Sequence, residues 1–209
     1  MGILKIFVEG GGDSSLLKTK CREAFTRLIR QALPPGCAFR FQIVAGGPRN
    51  AAFDKFRLAL ENGETDVALL VDGEDLITNI DAETGLTRDP WQHFIGRGDP
   101  WTRPARATDA QTHLMAVSME TWLVADPARL AAYYGQGFRA SALPGHAQLE
   151  KVGKSALNQG LAQATRNTTK GAYSKGSHSF DILATLAPAA VEQRSPHAKH
   201  FFDYLRTHC

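Results

Sequence analysis

At 209 residues the chain is long enough for one domain with a substantial core, and 43% hydrophobic and 22% charged residues are ordinary proportions for a soluble globular protein. No apolar run approaches the roughly 20 residues a membrane span requires, and MGILKIFVEGG is too short and too acidic for a secretory leader, so a cytoplasmic protein without membrane contact is expected. The net charge of +3 is unevenly spread: residues 1–136 hold 15 Lys+Arg against 17 Asp+Glu, and residues 137–209 hold 9 against 4, which is −2 followed by +5. Acids early and bases late suit either a solvated basic region or a surface for a polyanion beside an acidic centre.

In chain order, Lys5–Glu9 is short, apolar and bounded by glycines, and predicts a buried strand. Leu16, Leu17, Ala24, Phe25, Leu28 and Ile29 then fall at helical spacing until Pro34-Pro35-Gly36. Ala38–Ala45 reads as a second strand, and Asn50 as the cap of a helix reaching about Leu60. Thr65–Val71 is the clearest buried strand, running directly into Asp72-Gly73-Glu74-Asp75. Residues 76–110, rich in Gly, Pro, Asp and Arg, predict a long loop with at most a short helix near Trp91–Ile95. A fourth strand is expected at His113–Val117, then one helix through SMETWLVADPARLAAYY. Helices follow over Lys154–Thr165, Phe180–Leu186 and His197–Thr207, with a polar basic stretch through His178. Cys21, Cys37 and Cys209 have no metal-like spacing, and their odd number predicts unpaired thiols rather than a disulfide framework.

Strands alternating with helices imply an α/β fold, a mainly parallel sheet of about four strands covered on both faces. In such sheets ligands sit outside the carboxyl ends of the strands. Glu9, Asp72 and Glu74 all belong to that edge. Neighbouring strands lie about 4.8 Å apart, so carboxylates at adjacent strand ends can share a cation. Hard oxygen ligands suit Mg²⁺ or Mn²⁺, and such ions support phosphodiester cleavage. The alternative is that Glu9 and Asp13 cap the first helix while Asp72–Asp75 forms an acidic turn.

IFVEGGGD followed by LLVDGED resembles the TOPRIM fold, a Rossmann-like arrangement marked by a Glu after the first strand and an acid-x-acid pair after a later one. Met119–Asp126, METWLVAD, brings the chain closest to a family of small uncharacterised bacterial TOPRIM-like proteins of the DUF4276 type, related to OLD-type nucleases. The resemblance spans most of residues 1–209 and implies a single domain, with a core at about 1–135 and a basic helical extension at about 136–209. It implies that Glu9 and Asp13 serve one metal, that Asp72 and Glu74 complete a pair of sites with Asp75 as an alternative ligand, and that Glu120 is an additional acid. OLD-type sites also use a late lysine; TKGAYSKGSH offers Lys170 and Lys175, of which Lys175 is the favoured stabiliser of transition-state charge, while His178 is a proton carrier or phosphate contact.

The function so implied is a divalent-metal-dependent nuclease acting on DNA or RNA, partnered by an AAA or ABC-type ATPase in phage defence or DNA processing. Other TOPRIM phosphotransfer activities, or a non-catalytic binding or inhibitory module that docks a partner protein on the acidic edge, are the rivals. Arg88, Arg97, Arg103 and Arg106 are interleaved with Trp91, Phe94 and Trp101, a pattern that can meet phosphates and stack bases; Arg49 is a similar candidate. Tryptophans in long loops also simply pin the loop to the body. Gly153-Lys154-Ser155 lacks the first glycine and preceding strand of a phosphate-binding loop, and His197 and His200 lack the Glu of a zinc-protease motif.

Overall fold

A computed structural model describes residues 2–209. It is an α/β fold in which β1 (Leu4–Glu9), β2 (Phe41–Gly47), β3 (Val67–Val71) and β4 (Thr112–Leu114) form one parallel sheet in the order β2-β1-β3-β4. The helices α1 (Ser15–Ala32), α2 (Arg49–Glu61), α3 (Pro90–Gly96), α4 (Met119–Ala125) and α5 (Pro127–Tyr134) are followed by α6 (Lys154–Thr165), α7 (Lys175–Leu183), α8 (Pro188–Arg194) and α9 (Pro196–Arg206). None of the described helices is long and apolar enough to cross a membrane.

The period-2 alternation of a strand explains why the sheet is covered twice. Leu4, Ile6 and Val8 of β1, with Ala68 and Leu70 of β3, belong to a large core shared with α1, α4 and the C-terminal helices. Phe7, Val67, Leu69 and Val71 point the other way, into a second core with Phe53 and Phe56 of α2 and Trp91 and Phe94 of α3. The C-terminal helices therefore bury part of the same core as the sheet: Phe180, Phe201 and Phe202 pack in it beside Phe25 and Trp122.

Local signals set most boundaries. Ser14 caps α1 by accepting the Leu17 N–H at 3.4 Å, and Asp89 caps α3 by accepting from Trp91 at 2.8 Å. Several expectations change. The helix expected at Phe180–Leu186 is α7, which already begins at Lys175 inside the stretch read as polar and basic, and α8 is added before α9. The single helix over residues 118–134 is two, because Pro127 cannot continue the ladder and Asp126 caps α5 by accepting the Arg129 N–H at 3.0 Å. Asn50 caps nothing; it lies inside α2 and accepts the Trp101 indole N–H at 2.9 Å. The fourth strand ends at Leu114, because Ala116 adopts a positive φ of 55° and the chain turns away.

The cysteine expectation is corrected for two of the three residues. Cys37 and Cys209 form a disulfide across a sequence separation of 172, and Cys21 is free and buried. The pairing follows from tertiary packing: the end of α9 lies against the connection after α1, where Arg206 donates to the Ala32 carbonyl at 3.0 Å and His208 stacks on Phe39 at 5.0 Å. Burial pushes the Cys21 thiol up to about 12, which leaves it a packing group rather than a nucleophile.

Candidate metal centre

β1 and β3 are adjacent and parallel, so the residues that end them emerge side by side. One carboxylate oxygen from each of Glu9, Asp72 and Glu74 lies within 4.8 Å of the others. The Glu9 carboxylate also accepts the Asp72 backbone N–H at 3.1 Å, tying the two strand ends together.

The turn Asp72-Gly73-Glu74 is held by its backbone. The N–H groups of Gly73 and Glu74 donate to the carbonyls of Ala116 at 2.6 Å and Val117 at 2.8 Å. A Cβ on Gly73 would come within 2.5 Å of the Ala116 oxygen, so only glycine allows this approach. Glu74 adopts a φ of 69°, a left-handed conformation costly for a residue with a Cβ; it aims the side chain back toward Glu9. On the carbonyl side, Arg49 Nε donates to the Asp72 oxygen at 3.0 Å and His93 Nε2 bonds the Gly73 oxygen at 2.9 Å.

Asp72 is buried, and its Oδ1 accepts the Met119 N–H at 2.8 Å while Oδ2 faces Lys175 Nζ at 3.4 Å. Glu120 is fully buried behind it, accepting the Tyr173 hydroxyl at 2.9 Å on Oε1, and its Oε2 stands 3.7 Å from Lys175 with no hydrogen bond. Lys154, at the start of α6, forms an ion pair with Glu74. Burial, and then the neighbouring Asp72 charge, push Glu9 well above the usual carboxylate range. Burial likewise raises Asp72, against the pull of Lys175. Burial works against the Lys175 ammonium, but Asp72, Glu120 and Glu9 outweigh it and hold its pKa above the ordinary lysine value.

The donor set fits a divalent cation. Three carboxylate oxygens converge, two of their groups are destabilised as anions by burial and by neighbouring carboxylates, and the counter-charge paired with them among the described residues is two lysine side chains. Gly10, Gly11 and Gly12 have φ of 144°, 86° and 49°; a Cβ on Gly10 would press on Cys21 and Phe180 and one on Gly11 on the Lys18 backbone, whereas Gly12 faces open space.

Of the sequence candidates, Glu9, Asp72, Glu74, Glu120 and Lys175 meet here. Asp13 is exposed and outside the cluster, and Asp75 points away to pair with Arg97. Lys154 was not foreseen; its only sequence signal is the Gly-Lys-Ser set aside as an incomplete phosphate loop. His178, from α7, accepts at Nδ1 from the Ser174 N–H at 3.2 Å and the Tyr134 hydroxyl at 3.1 Å, a packing role. Lys170 is exposed, with Nζ 5.0 Å from the Tyr133 ring centre.

The arginine-tryptophan loop is turned inward. Trp91, Phe94 and Trp101 are buried, so they pin the loop and present no face for bases. Trp101 stacks on Phe53 at 4.6 Å, and the Arg49 guanidinium lies 4.0 Å over Trp101 while pairing with Asp99 at 2.7 Å. Arg49 is thus a buried clamp rather than a solvent-facing phosphate contact. Arg97 pairs with Asp75 and Asp99, Arg103 with the Ala107 carbonyl and Asp109, and Arg106 donates to the Leu60 carbonyl at 3.4 Å.

A family model, Domain of unknown function (DUF4276), matches residues 8–206, and the chain belongs to that family. No curated protein and no solved structure matches it.

Proposed function

We propose that this chain is a TOPRIM-like, divalent-metal-dependent phosphodiester hydrolase of DNA or RNA, related to OLD-type nucleases and working in the cytoplasm. The observation that carries the reading is the convergence of Glu9, Asp72 and Glu74 at the carboxyl edge of a parallel sheet, with the Lys175 ammonium against Asp72. Glu9, Asp72 and Glu74 would hold Mg²⁺ or Mn²⁺, with Glu120 behind them. When bound, the ion supplies charge for the scissile phosphate and lowers the pKa of water.

The chain's own groups do the rest. The Asp72-Gly73-Glu74 turn is clamped from both sides, so the carboxylates are set before any substrate arrives. Lys175 stays cationic at neutral pH, and once its carboxylate partners are engaged elsewhere it is free to face a phosphate oxygen. The glycine-lined recess after β1 leaves room for a phosphate beside Glu9. An AAA or ABC-type ATPase is the partner carried over with the OLD-type resemblance, and phage defence or DNA processing the setting.

The test is incubation of the purified chain with labelled DNA and RNA in Mg²⁺ or Mn²⁺, with and without a neighbouring ATPase, beside Glu9→Ala and Asp72→Ala. Cleavage that requires metal and falls by on the order of 10³-fold in both variants is expected. Metal-dependent cleavage that survives both substitutions would overturn the assignment. A second reading, an acidic docking module for a partner protein, draws on the ion pairs Lys154–Glu74 and Lys175–Asp72, which show that this edge takes basic side chains while Glu9 has no ion pair among the described residues. Tight partner binding with no cleavage of any substrate would favour it.

A further inference from the structure

Beside Glu9, Asp72 and Lys175 opens a cavity of about 330 Å³. Its walls are Leu17 of α1, Met115, Met119 and Phe180, completed by the backbones of Gly10–Gly12 and Gly47. A cation and a phosphate have no use for such walls, since both are stabilised by oxygen ligands, charge and water. Methionine sulfurs and a phenylalanine ring are, by contrast, good neighbours for a flat heteroaromatic group. The volume is also in the range of small-molecule pockets.

We propose that this cavity takes the base of an unpaired nucleotide whose phosphate lies at the Glu9–Asp72–Glu74 cluster, so that single-stranded nucleic acid is the preferred substrate. The inference rests on the phosphodiesterase reading. A base within a duplex is paired and stacked and cannot enter a recess of this kind without being drawn out of the helix. The cavity also holds little that could read base identity: the Ser179 hydroxyl is committed to the Lys175 carbonyl, and Glu9, Asp72 and Lys175 belong to the charged centre. Binding is therefore sequence-tolerant, driven by the apolar faces of the base.

Gly176 offers a clean test. It lines the cavity, it sits in α7 without a positive φ, and a Cβ built there meets nothing within 4 Å. Gly176→Leu should narrow the recess without strain. Calorimetric titration of the full chain in Mn²⁺ should show each of the four deoxynucleoside monophosphates binding about tenfold more tightly than deoxyribose 5-phosphate. Gly176→Leu should erase that difference while leaving Mn²⁺ affinity as in the wild type, and wild type should cleave a single strand faster than its duplex. Equal binding of the sugar phosphate, or a difference that survives Gly176→Leu, would overturn the base pocket and leave the phosphodiesterase reading standing. Failure to take up Mn²⁺, together with no nucleotide binding, would remove that reading and the pocket proposal with it.

Discussion

The acidic edge and the arginine-tryptophan loop are made of similar material, charges among glycines and prolines after an apolar element, yet they end in opposite states. In the loop every arginine named above has a partner within the fold, and the three aromatic rings are buried. At the edge three carboxylates are brought together, two of them raised in pKa, with Lys154 and Lys175 as the cations paired with them among the described residues. The difference teaches that a site is marked by charge the fold has left under-compensated rather than by charge as such. The two regions also meet, because Arg49 and His93 clamp the carbonyls of Asp72 and Gly73. The loop serves the edge by holding it still.

The comparison can be broken most forcefully at Trp101. Trp101→Ala removes a buried ring stacked on Phe53 and under Arg49 and should cost about 3–5 kcal/mol in urea unfolding, while nucleic-acid binding per folded molecule is retained. A folded variant that has lost nucleic-acid binding would give the loop a direct part in the interface. At the edge the opposite trade is expected. Glu9→Gln removes a half-buried carboxylate crowded by Asp72 and should raise metal-free stability by about 1 kcal/mol while abolishing cleavage, as read by thermal melts and nuclease assay.

A smaller effect concerns pH. Burial lowers the His93 pKa from 6.5, with Arg97 and Arg49 acting in the same direction and the Gly73 carbonyl against them. The unfolded chain therefore takes up this proton first, so the contribution to stability is complete above about pH 6.5 and declines as pH falls below it. Wild type should lose more stability between pH 7 and pH 5 than His93→Gln does, measured by denaturant unfolding. The smallest effect is expected at Arg103, which is half exposed; Arg103→Ala should change stability by no more than about 0.5 kcal/mol, and a large loss of nucleic-acid binding there would return the loop to the interface.

Much of this architecture was legible in the residues alone. Strands ending in Glu9 and Val71, the short helix around Trp91 and the helix Lys154–Thr165 all follow from apolar periodicity and nearby breakers. Glu9, Asp72 and Glu74 were legible because they end or closely follow a buried strand, and a parallel sheet collects its strand ends on one edge. Asp13 and Asp75 carry the same chemistry in the same motifs, but one lies in an exposed turn and the other faces Arg97. No spacing rule separates them from Glu9 and Glu74.

What the chain decided by itself was local: where backbone runs straight, where it coils, and which residues stand at the ends, since caps, prolines and side-chain periodicity act over a few positions. Tertiary structure alone decided which charges meet. Lys154 reaches Glu74 from 80 residues away, Lys175 reaches Asp72 from 103, and Cys37 meets Cys209 across 172. These encounters depend on how helices lie over the sheet, which is set by packing of the two cores rather than by any short run of residues. The same packing turned Arg49 inward, because buried aromatic faces and Asp99 offered its guanidinium more than solvent did.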